Sequence, residues 1–169
     1  MNLVLIGFMC SGKTRVGREL AARLGWEFRD TDEIVEKTTG ARVPDIIRKQ
    51  GEPAFRKAER EAVRQAATGD RQVIATGGGV PLDPDNIADL AKNGHIVWLK
   101  ISTRAVLRRG GDLTSRPLID PSDPLGSVER RLREREPAYA KAASFTVDVD
   151  TAAPAEIVEQ IVSHFPALR

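Results

Sequence analysis

The stretch Gly7-Phe8-Met9-Cys10-Ser11-Gly12-Lys13-Thr14 decides the fold of this chain. It fits the pattern G-x-x-x-x-G-K-[ST], in which a glycine-rich loop holds the phosphates of a nucleotide. The apolar run at residues 2–6 precedes the loop, and a helical pattern begins at Lys13. A strand, a glycine-rich turn and a helix in this order give the motif its chemistry. We therefore expect a nucleoside triphosphate to bind here.

The residue types in this phosphate loop explain how it would hold an anion. Gly7 and Gly12 let the backbone bend so that successive N–H groups point inward, next to the positive end of the following helix. Lys13 brings a cation to the terminal phosphates, and the Thr14 hydroxyl is a hard oxygen ligand that suits Mg²⁺. We interpret Cys10 as a small side chain that fits the loop, rather than as a reactive thiol.

Size and composition limit the class of protein. The chain has 169 residues, of which 41% are hydrophobic, enough for one compact domain with a core. Its net charge of +2, from 26 basic and 24 acidic residues, is too balanced to indicate a nucleic-acid partner. A single cysteine excludes an internal disulfide, and no apolar run approaches the ~20 residues that span a membrane. Because no signal peptide precedes the phosphate loop, we expect a cytoplasmic enzyme.

Segments typical of strands and helices alternate along the chain. Strands are predicted at residues 2–6, 26–29, 72–75, 95–100 and 144–149, and helices at 13–24, 32–39, 44–50, 53–67, 84–92, 103–109, 125–142 and 154–165. This alternation predicts an α/β fold with a parallel sheet that helices cover on both faces. Ligands of such sheets bind beyond the carboxyl ends of the strands.

Two further motifs follow predicted strands and should lie at the same edge as the phosphate loop. In Asp30-Thr31-Asp32, one carboxylate can reach metal-bound water near Thr14, and the other can bind or deprotonate a substrate hydroxyl. The alternative is that Asp32 only caps the next helix. Gly77-Gly78-Gly79 indicates a place where a ligand approaches the backbone closely, although a plain turn would also accept glycine.

Arginines supply the remaining candidates. Arg56 and Glu59 lie three apart on one predicted helical face, where Glu59 could aim Arg56 at a carboxylate. Spacing alone favours an exposed ion pair of little energetic value. Arg116 lies in the irregular segment 110–124, in Ser115-Arg116-Pro117-Leu118, which is either a lid over the triphosphate or a surface loop. A wider arginine-rich region contains Arg108, Arg109, Arg116, Arg130, Arg131, Arg133 and Arg135. In a phosphate-loop protein these arginines would surround a triphosphate and an anionic acceptor; the alternatives are an RNA-binding patch and a solvated helix face.

Taken together, these motifs resemble those of shikimate kinases over almost the whole chain. The resemblance rests on the phosphate loop, Asp30-Thr31-Asp32, Gly51-Glu52-x-x-Phe55-Arg56-x-x-Glu59, Gly77-Gly78-Gly79, Arg116-Pro117-Leu118 and Arg135-x-Pro137-x-Tyr139. It implies the three-layer αβα fold of P-loop NTPases, with a five-stranded parallel sheet and a lid, as in nucleoside monophosphate kinases. It also implies transfer of the ATP γ-phosphate to the 3-hydroxyl of shikimate, a step toward chorismate and the aromatic amino acids.

The resemblance further implies one kinase domain over residues 1–169, with a substrate-binding region near 32–61 and a lid near 110–124. The implied cosubstrate and metal are ATP and Mg²⁺, and the small-molecule partner is shikimate. The expected protein is a cytoplasmic monomer without nucleic-acid or membrane partners.

Specific roles also follow from the resemblance. The implied catalytic residues are Lys13, Asp32 and Arg116. Nucleotide contacts would come from Gly7, Cys10, Ser11, Gly12, Lys13, Thr14, Arg15, Arg108 and Arg116, with Arg108 against adenine. Shikimate would contact Asp32, Arg56, Gly77, Gly78, Gly79 and Arg135, with Glu59 orienting Arg56. Thr14 would ligate the metal directly and Asp30 through water. Cys10 and Arg15 depart from the family pattern, which usually has glycine and a second Ser or Thr there.

Three other functions compete with this one. Another small-acid kinase of the same architecture, such as a gluconate kinase, would also need a phosphate loop and arginines. A non-catalytic regulator could bind nucleotide and shikimate without turnover. RNA binding through the arginine-rich helix is the weakest alternative and predicts a steep dependence of affinity on salt.

Overall fold

Five parallel strands form one central sheet. The structure, a computed structural model, describes residues 1–113 and 116–168. The strands are β1 (Asn2–Ile6), β2 (Glu27–Asp30), β3 (Gln72–Ala75), β4 (Gly94–Lys100) and β5 (Phe145–Asp148), in the order β2-β3-β1-β4-β5. Every neighbouring pair is parallel. The predicted α/β class is therefore confirmed.

The central strand β1 explains why its sequence is a continuous apolar run. A parallel strand that is covered on both faces has no solvent side, so it shows no alternation of polar residues. All five residues of β1 are buried. The strand pairs with β3 on one side and β4 on the other, and its carboxyl end delivers the phosphate loop to the middle of the sheet edge.

Helices cover both faces of the sheet. They are α1 (Lys13–Leu24), α2 (Thr31–Thr39), α3 (Val43–Gln50), α4 (Glu52–Ala67), α5 (Pro84–Ala91), α6 (Thr103–Arg109), α7 (Pro124–Ala142) and α8 (Pro154–His164), with 3-10 turns at Val80–Leu82 and Pro166–Leu168. Helix α1 packs against α8 and β3, whereas α5 and α7 pack against β4. Within the described ranges, no helix combines the length and apolarity needed to cross a bilayer.

The boundaries of β2 and α2 differ from the prediction for a reason that bears on the site. Strand β2 includes Asp30, one residue beyond the predicted end, and α2 begins at Thr31 rather than Asp32. The cap of α2 is Asp30, whose Oδ1 accepts a hydrogen bond of 2.9 Å from the Asp32 backbone N–H. The alternative role of Asp32 as this cap is therefore wrong, and its side chain is left for another use.

Strand β5 is shorter than predicted, and α7 begins one residue earlier, at Pro124. Ser144 and Val149 flank β5 and still donate backbone hydrogen bonds to β4, at Ile96 O and Lys100 O. They continue the contact with β4 outside the regular ladder. The predicted strand therefore covers all the residues that bond here, although only four of them form the strand.

The segment 110–124 consists of consecutive turns where the structure describes it. Arg116 N–H donates to Leu113 O over 3.1 Å, and Ile119 N–H donates to Arg116 O over 3.0 Å. Leu113 and Ile119 are both buried, so apolar side chains anchor the segment to the body of the protein. Ser115, which the lid prediction also named, lies outside the described residues.

Candidate active site

A cavity of about 760 Å³ opens at the carboxyl edge of the sheet. It brings together the motifs that the sequence predicted to meet. Its lining includes Cys10, Gly12, Lys13, Thr14, Arg15, Asp30, Asp32, Arg56, Glu59, Gly77, Gly78, Gly79, Arg116 and Arg135. Among the predicted site residues, Gly7, Ser11 and Arg108 are not part of this lining. A cavity of this volume is large enough for a small-molecule ligand.

The backbone of the phosphate loop has the conformation that an anion site requires. Gly7 and Gly12 have φ angles of 147° and 88°, in the region that favours glycine. A Cβ at Gly7 would lie 2.6 Å from Leu99 O, so no side chain fits there. Gly12 caps α1 without any side-chain hydrogen bond. The first N–H groups of α1 are therefore available to a phosphate.

Lys13 occupies the loop in this structure. Its Nζ donates hydrogen bonds to Gly7 O at 2.8 Å and Phe8 O at 2.9 Å. Burial lowers the pKa of Lys13 to about 8, although the nearby carboxylates Asp32 and Asp30 oppose that shift. The ammonium group is thus held at the point where the terminal phosphates of a nucleotide would arrive, with carbonyl oxygens that phosphate oxygens can replace.

Thr14 and Asp30 form the hydroxyl–carboxylate pair that a magnesium site would use. Thr14 Oγ1 donates a hydrogen bond of 2.9 Å to Asp30 Oδ2. In the described part of the chain, no three His, Cys, Asp or Glu side chains cluster as metal ligands. A hydroxyl with one nearby carboxylate fits Mg²⁺, which usually keeps several waters and takes its other ligands from substrate phosphates.

Asp32 is a buried carboxylate with an unused oxygen. Burial raises its pKa to about 6, and the neighbouring charges of Asp30 and Glu59 raise it further while Lys13 opposes them. Its Oδ1 has no hydrogen-bond partner among the described residues. A buried, unpaired oxygen costs about 1–3 kcal/mol. Asp32 therefore has the environment of a base or a hydroxyl acceptor.

Thr31 is a site residue that the sequence reasoning missed. Its side chain is fully buried, and its Oγ1 accepts a hydrogen bond of 2.9 Å from Gly77 N–H. This bond ties the start of α2 to the triple glycine. In the sequence, Thr31 stands out only by its position between the candidate site residues Asp30 and Asp32. That position does not distinguish it from a residue that merely separates the two aspartates.

The site's own side chains explain the three consecutive glycines. A Cβ at Gly77 would lie 2.7 Å from Glu59 Oε1 and 2.9 Å from Asp32 Oδ1. At Gly78 it would lie 3.2 Å from Arg135 Nη1, and at Gly79 it would overlap the Arg56 guanidinium. Each glycine thus makes room for a different charged group. The triple glycine is more than a plain turn.

The Arg56–Glu59 pair is buried on its acidic side. Arg56 Nη1 donates to Glu59 Oε2 at 2.8 Å, and the Glu59 side chain is only 2% exposed. Burial raises the pKa of the Glu59 carboxyl, while Arg56 opposes the rise. The spacing of these residues favoured an exposed ion pair, and that prediction is therefore wrong. Glu59 lies beneath Arg56 and fixes its guanidinium at the cavity wall.

Arg135 is a buried cation without a carboxylate opposite. Its exposed fraction is 7%, and its guanidinium carbon lies 5.5 Å from the centre of the Phe8 ring. Within residues 1–113 and 116–168, no Asp or Glu oxygen lies within 4.0 Å of it. The nearby Tyr139 hydroxyl donates to Gly78 O over 2.6 Å and holds the triple glycine against α7. Such a cation calls for an anionic ligand.

Two more arginines, Arg109 and Arg116, contact Cys10 in the phosphate loop. Arg116 Nη2 donates to Cys10 Sγ at 3.8 Å, so the predicted lid arginine already contacts the loop. Arg109, which the prediction did not assign, donates to Cys10 O at 3.4 Å and to Asp150 O at 3.2 Å. Arg108 instead donates to Asp150 O at 2.6 Å, away from the cavity lining. Its contact with adenine stays a prediction.

Comparison with known proteins identifies the family. The family model described as shikimate kinase matches residues 9–166. The chain belongs to the shikimate kinase family. The shikimate kinase of Caldanaerobacter subterraneus subsp. tengcongensis is 43% identical over 99% of this chain and 98% of its own length. The shikimate kinase of Symbiobacterium thermophilum is 44% identical, over 96% and 94% of the two chains. The predicted family and the predicted enzyme class, an ATP-dependent shikimate kinase, are confirmed.

Solved structures agree with this family and show why the fold alone would not have decided it. A shikimate kinase from Acinetobacter baumannii, solved in complex with shikimate, has a TM-score of 0.93 at 33% identity and covers 98% of this chain and 93% of its own. A gluconokinase from Sinorhizobium meliloti 1021 has a TM-score of 0.68 at 19% identity, over 99% and 92% of the two chains. The gluconokinase shares the fold alone.

Two of the three departures from the family pattern lie in or beside the phosphate loop; the third is the lack, in residues 150–154, of the arginine or glutamine that relatives often place beside adenine. Cys10 has a φ of 63°, a left-handed conformation that favours glycine, so its side chain is held there at some conformational cost. Arg15 points largely to solvent and pairs with Glu19 at 3.4 Å. Its guanidinium is thus engaged along α1, although Arg15 also borders the cavity.

Proposed function

We propose that this chain binds ATP and shikimate in the cavity at the sheet edge and transfers the γ-phosphoryl group to the shikimate 3-hydroxyl. The products are shikimate 3-phosphate and ADP. The observation that carries this proposal is the buried guanidinium of Arg135, which has no carboxylate opposite it in the described part of the chain. Shikimate supplies one carboxylate for such a cation and several hydroxyls for Asp32. The related enzyme from Acinetobacter baumannii was solved with this ligand.

The part of the cavity that would bind shikimate has arginines at one end and a carboxylate at the other. Arg56 and Arg135 bind the substrate carboxylate, while Gly78 lies next to Arg135 and accepts a hydrogen bond from the Tyr139 hydroxyl. Asp32 lines the cavity and accepts hydrogen bonds from the substrate hydroxyls. This arrangement fixes the 3-hydroxyl toward the phosphate loop, and positioning of this kind supplies much of the rate of phosphoryl transfer.

The donor side uses the phosphate loop and its arginines. Lys13 leaves the carbonyl oxygens of Gly7 and Phe8 and pairs with the β- and γ-phosphates. Arg116 moves from Cys10 Sγ onto the transferring group, and the 110–124 segment excludes water as it closes. Thr14 would hold Mg²⁺ directly and Asp30 through water. When bound, the metal neutralises charge that develops between the β- and γ-phosphates.

Asp32 orients the attacking hydroxyl and accepts its proton during transfer. The bond from the 3-oxygen to the γ-phosphorus forms while the bond from that phosphorus to the β–γ bridging oxygen breaks. With a pKa of about 6, Asp32 is ionised at neutral pH and able to accept the proton. Burial, together with the nearby charges of Asp30 and Glu59, raises its pKa and keeps it more basic than an ordinary aspartate.

The remaining assignments are part of the same proposal. The chain acts as a monomer, because every group that the reaction needs comes from this one chain. It works in the cytoplasm, where ATP is abundant. Residues 32–61 form the substrate-binding region and residues 110–124 the lid of a single kinase domain.

Replacing Arg135 tests this proposal at the residue that carries it. Arg135→Met should raise the KM for shikimate about 100-fold, because it leaves the substrate carboxylate with half of its cationic partners. The matched control is Arg133→Met on the same helix, since Arg133 is exposed. The control should leave both KM values unchanged. Equal effects of the two substitutions would contradict the assignment of Arg135.

A further inference from the structure

Two glutamates hold the guanidinium of Arg56 by different nitrogen atoms. Nη1 donates to Glu59 at 2.8 Å and Nη2 donates to Glu52 at 2.9 Å. The two carboxylates differ in their surroundings. Glu59 is 2% exposed and lines the cavity, whereas the Glu52 side chain is 42% exposed and lies outside the lining. Glu52 can therefore leave Arg56 and be hydrated at once, but Glu59 cannot.

This pairing leaves Arg56 poorly prepared for a substrate carboxylate. A guanidinium binds a carboxylate best through two parallel N–H groups on one edge. In Arg56, the two terminal nitrogens are already shared between two acidic side chains. A third carboxylate would find the positive charge largely compensated, and it would be repelled by both glutamates. Release of Glu52 removes one of these charges and frees Nη2.

Glu52 stays in a favourable place for its charge after release. It is the first residue of α4, and a helix N-terminus stabilises a carboxylate whether or not it faces an arginine. Its 42% exposure lets water hydrate the released group.

We propose that Glu52 is a releasable counter-ion for Arg56, which it leaves for solvent when an acidic substrate binds. Glu52 is thus a positioning residue that limits substrate affinity, rather than a catalytic residue. In the empty site it keeps Arg56 oriented and its charge compensated. In the occupied site the substrate carboxylate takes the freed N–H groups. This inference rests on the proposed function, because it takes shikimate as the acidic substrate.

Glu52→Gln tests the exchange by removing the competing charge. The KM for shikimate and the Kd from calorimetry should each fall about two- to fivefold, the range expected when a partly exposed ion pair no longer competes. The KM for ATP should not change. Glu61→Gln is the matched control, because Glu61 is an exposed residue of the same helix that pairs with Arg64 at 3.8 Å. It should change neither constant.

One further variant separates the contact from the net charge. Glu52→Asp keeps the charge but shortens the side chain, so it should also lower the KM for shikimate. Thermal unfolding of each variant checks that the fold is intact.

The outcomes are distinct. An unchanged or higher KM for shikimate in Glu52→Gln would overturn the proposal, because Glu52 would then support the binding conformation of Arg56. An unchanged KM in Glu52→Asp would show that the contact itself does not limit binding, and would also overturn the proposal. If the unaltered chain showed no turnover with shikimate, the proposed function would fall, and this inference with it.

Discussion

Gly77 lies so close to Asp32 that a Cβ at Gly77 would be 2.9 Å from Asp32 Oδ1. The same Cβ would be 2.7 Å from Glu59 Oε1. Glu59 cannot move away without disturbing its hydrogen bond to Arg56, and a shift of Asp32 would misplace the carboxylate that the proposed reaction uses. We predict that Gly77→Ala lowers kcat/KM about 100-fold, as expected when catalytic groups are misplaced by about 1 Å. Steady-state kinetics with shikimate and ATP measures this loss.

A glycine outside the site provides a control that distinguishes a loss of activity from a loss of stability. Gly40 ends α2 at a φ of 69°, and a Cβ there would meet nothing within 4 Å. Gly40→Ala should therefore destabilise the fold by about 1 kcal/mol through its backbone conformation and leave kcat/KM unchanged. If Gly77→Ala kept full activity, the close packing of Asp32 and Glu59 would not matter for catalysis.

Asp30 should govern the response to magnesium. Its Oδ2 accepts a hydrogen bond from Thr14, and its Oδ1 caps α2. Asp30→Asn keeps the capping geometry but removes the charge, so the Mg²⁺ concentration for half-maximal rate should rise about tenfold or more. Activity measured against Mg²⁺ at fixed ATP gives this value.

The same substitution at another helix cap is the control for Asp30. Asp83 caps α5 by accepting a hydrogen bond of 2.9 Å from Asp85 N–H, the same geometry as at Asp30. Asp83→Asn should leave the Mg²⁺ response as it was. Equal Mg²⁺ dependence in the unaltered chain and in Asp30→Asn would exclude Asp30 from the metal site.

Binding of shikimate should depend on pH through Asp32. A carboxyl group accepts hydrogen bonds at both oxygens only when ionised, and burial raises the pKa of Asp32 from 3.8 to about 6. Shikimate affinity should therefore fall as the pH drops through about 6, well above the range of an ordinary aspartate. Calorimetry between pH 5 and 8, without nucleotide or metal, measures the effect. Asp32→Asn should flatten the profile, and a flat profile in the unaltered chain would refute the role of Asp32.

Arg109 should contribute more to ATP binding than its neighbour Arg108. Arg109 donates to Cys10 O in the phosphate loop, whereas Arg108 donates only to Asp150 O in the described structure. Arg109→Gln should raise the KM for ATP about tenfold or more, the lower end of the value of one charge-assisted hydrogen bond, and Arg108→Gln should raise it less. A larger effect at Arg108 would favour its predicted contact with adenine over the arrangement seen here.

The elements with strong local signals could be predicted from the sequence. The apolar run of β1, the glycine-rich loop and the start of α1 at Lys13 follow from residue types that few other conformations accept. Strand β3 and helix α6 likewise have their predicted bounds. The boundary between β2 and α2 was predicted wrongly because one residue there has three uses. Asp30 is at once the last residue of β2, the cap of α2 and the partner of Thr14.

The tertiary contacts of the site could not be read from local patterns. The sequence gives the spacing of Arg56 and Glu59, but only the fold shows that Glu59 is buried. The roles of Thr31 and Arg109 arise from contacts 46 and 99 residues away along the chain, with Gly77 and Cys10. Periodicity and spacing report on neighbours within a helix or strand, so contacts at such separations leave no local signal.

A coupled assay of ADP release shows directly whether this chain phosphorylates shikimate. The chain is incubated with ATP and Mg²⁺ and offered either shikimate or gluconate, and the product is identified by NMR. We predict shikimate-dependent ADP release with phosphate on the 3-oxygen, and little release with gluconate. Tight binding of ATP and shikimate without turnover, or faster turnover of gluconate than of shikimate, would contradict the account.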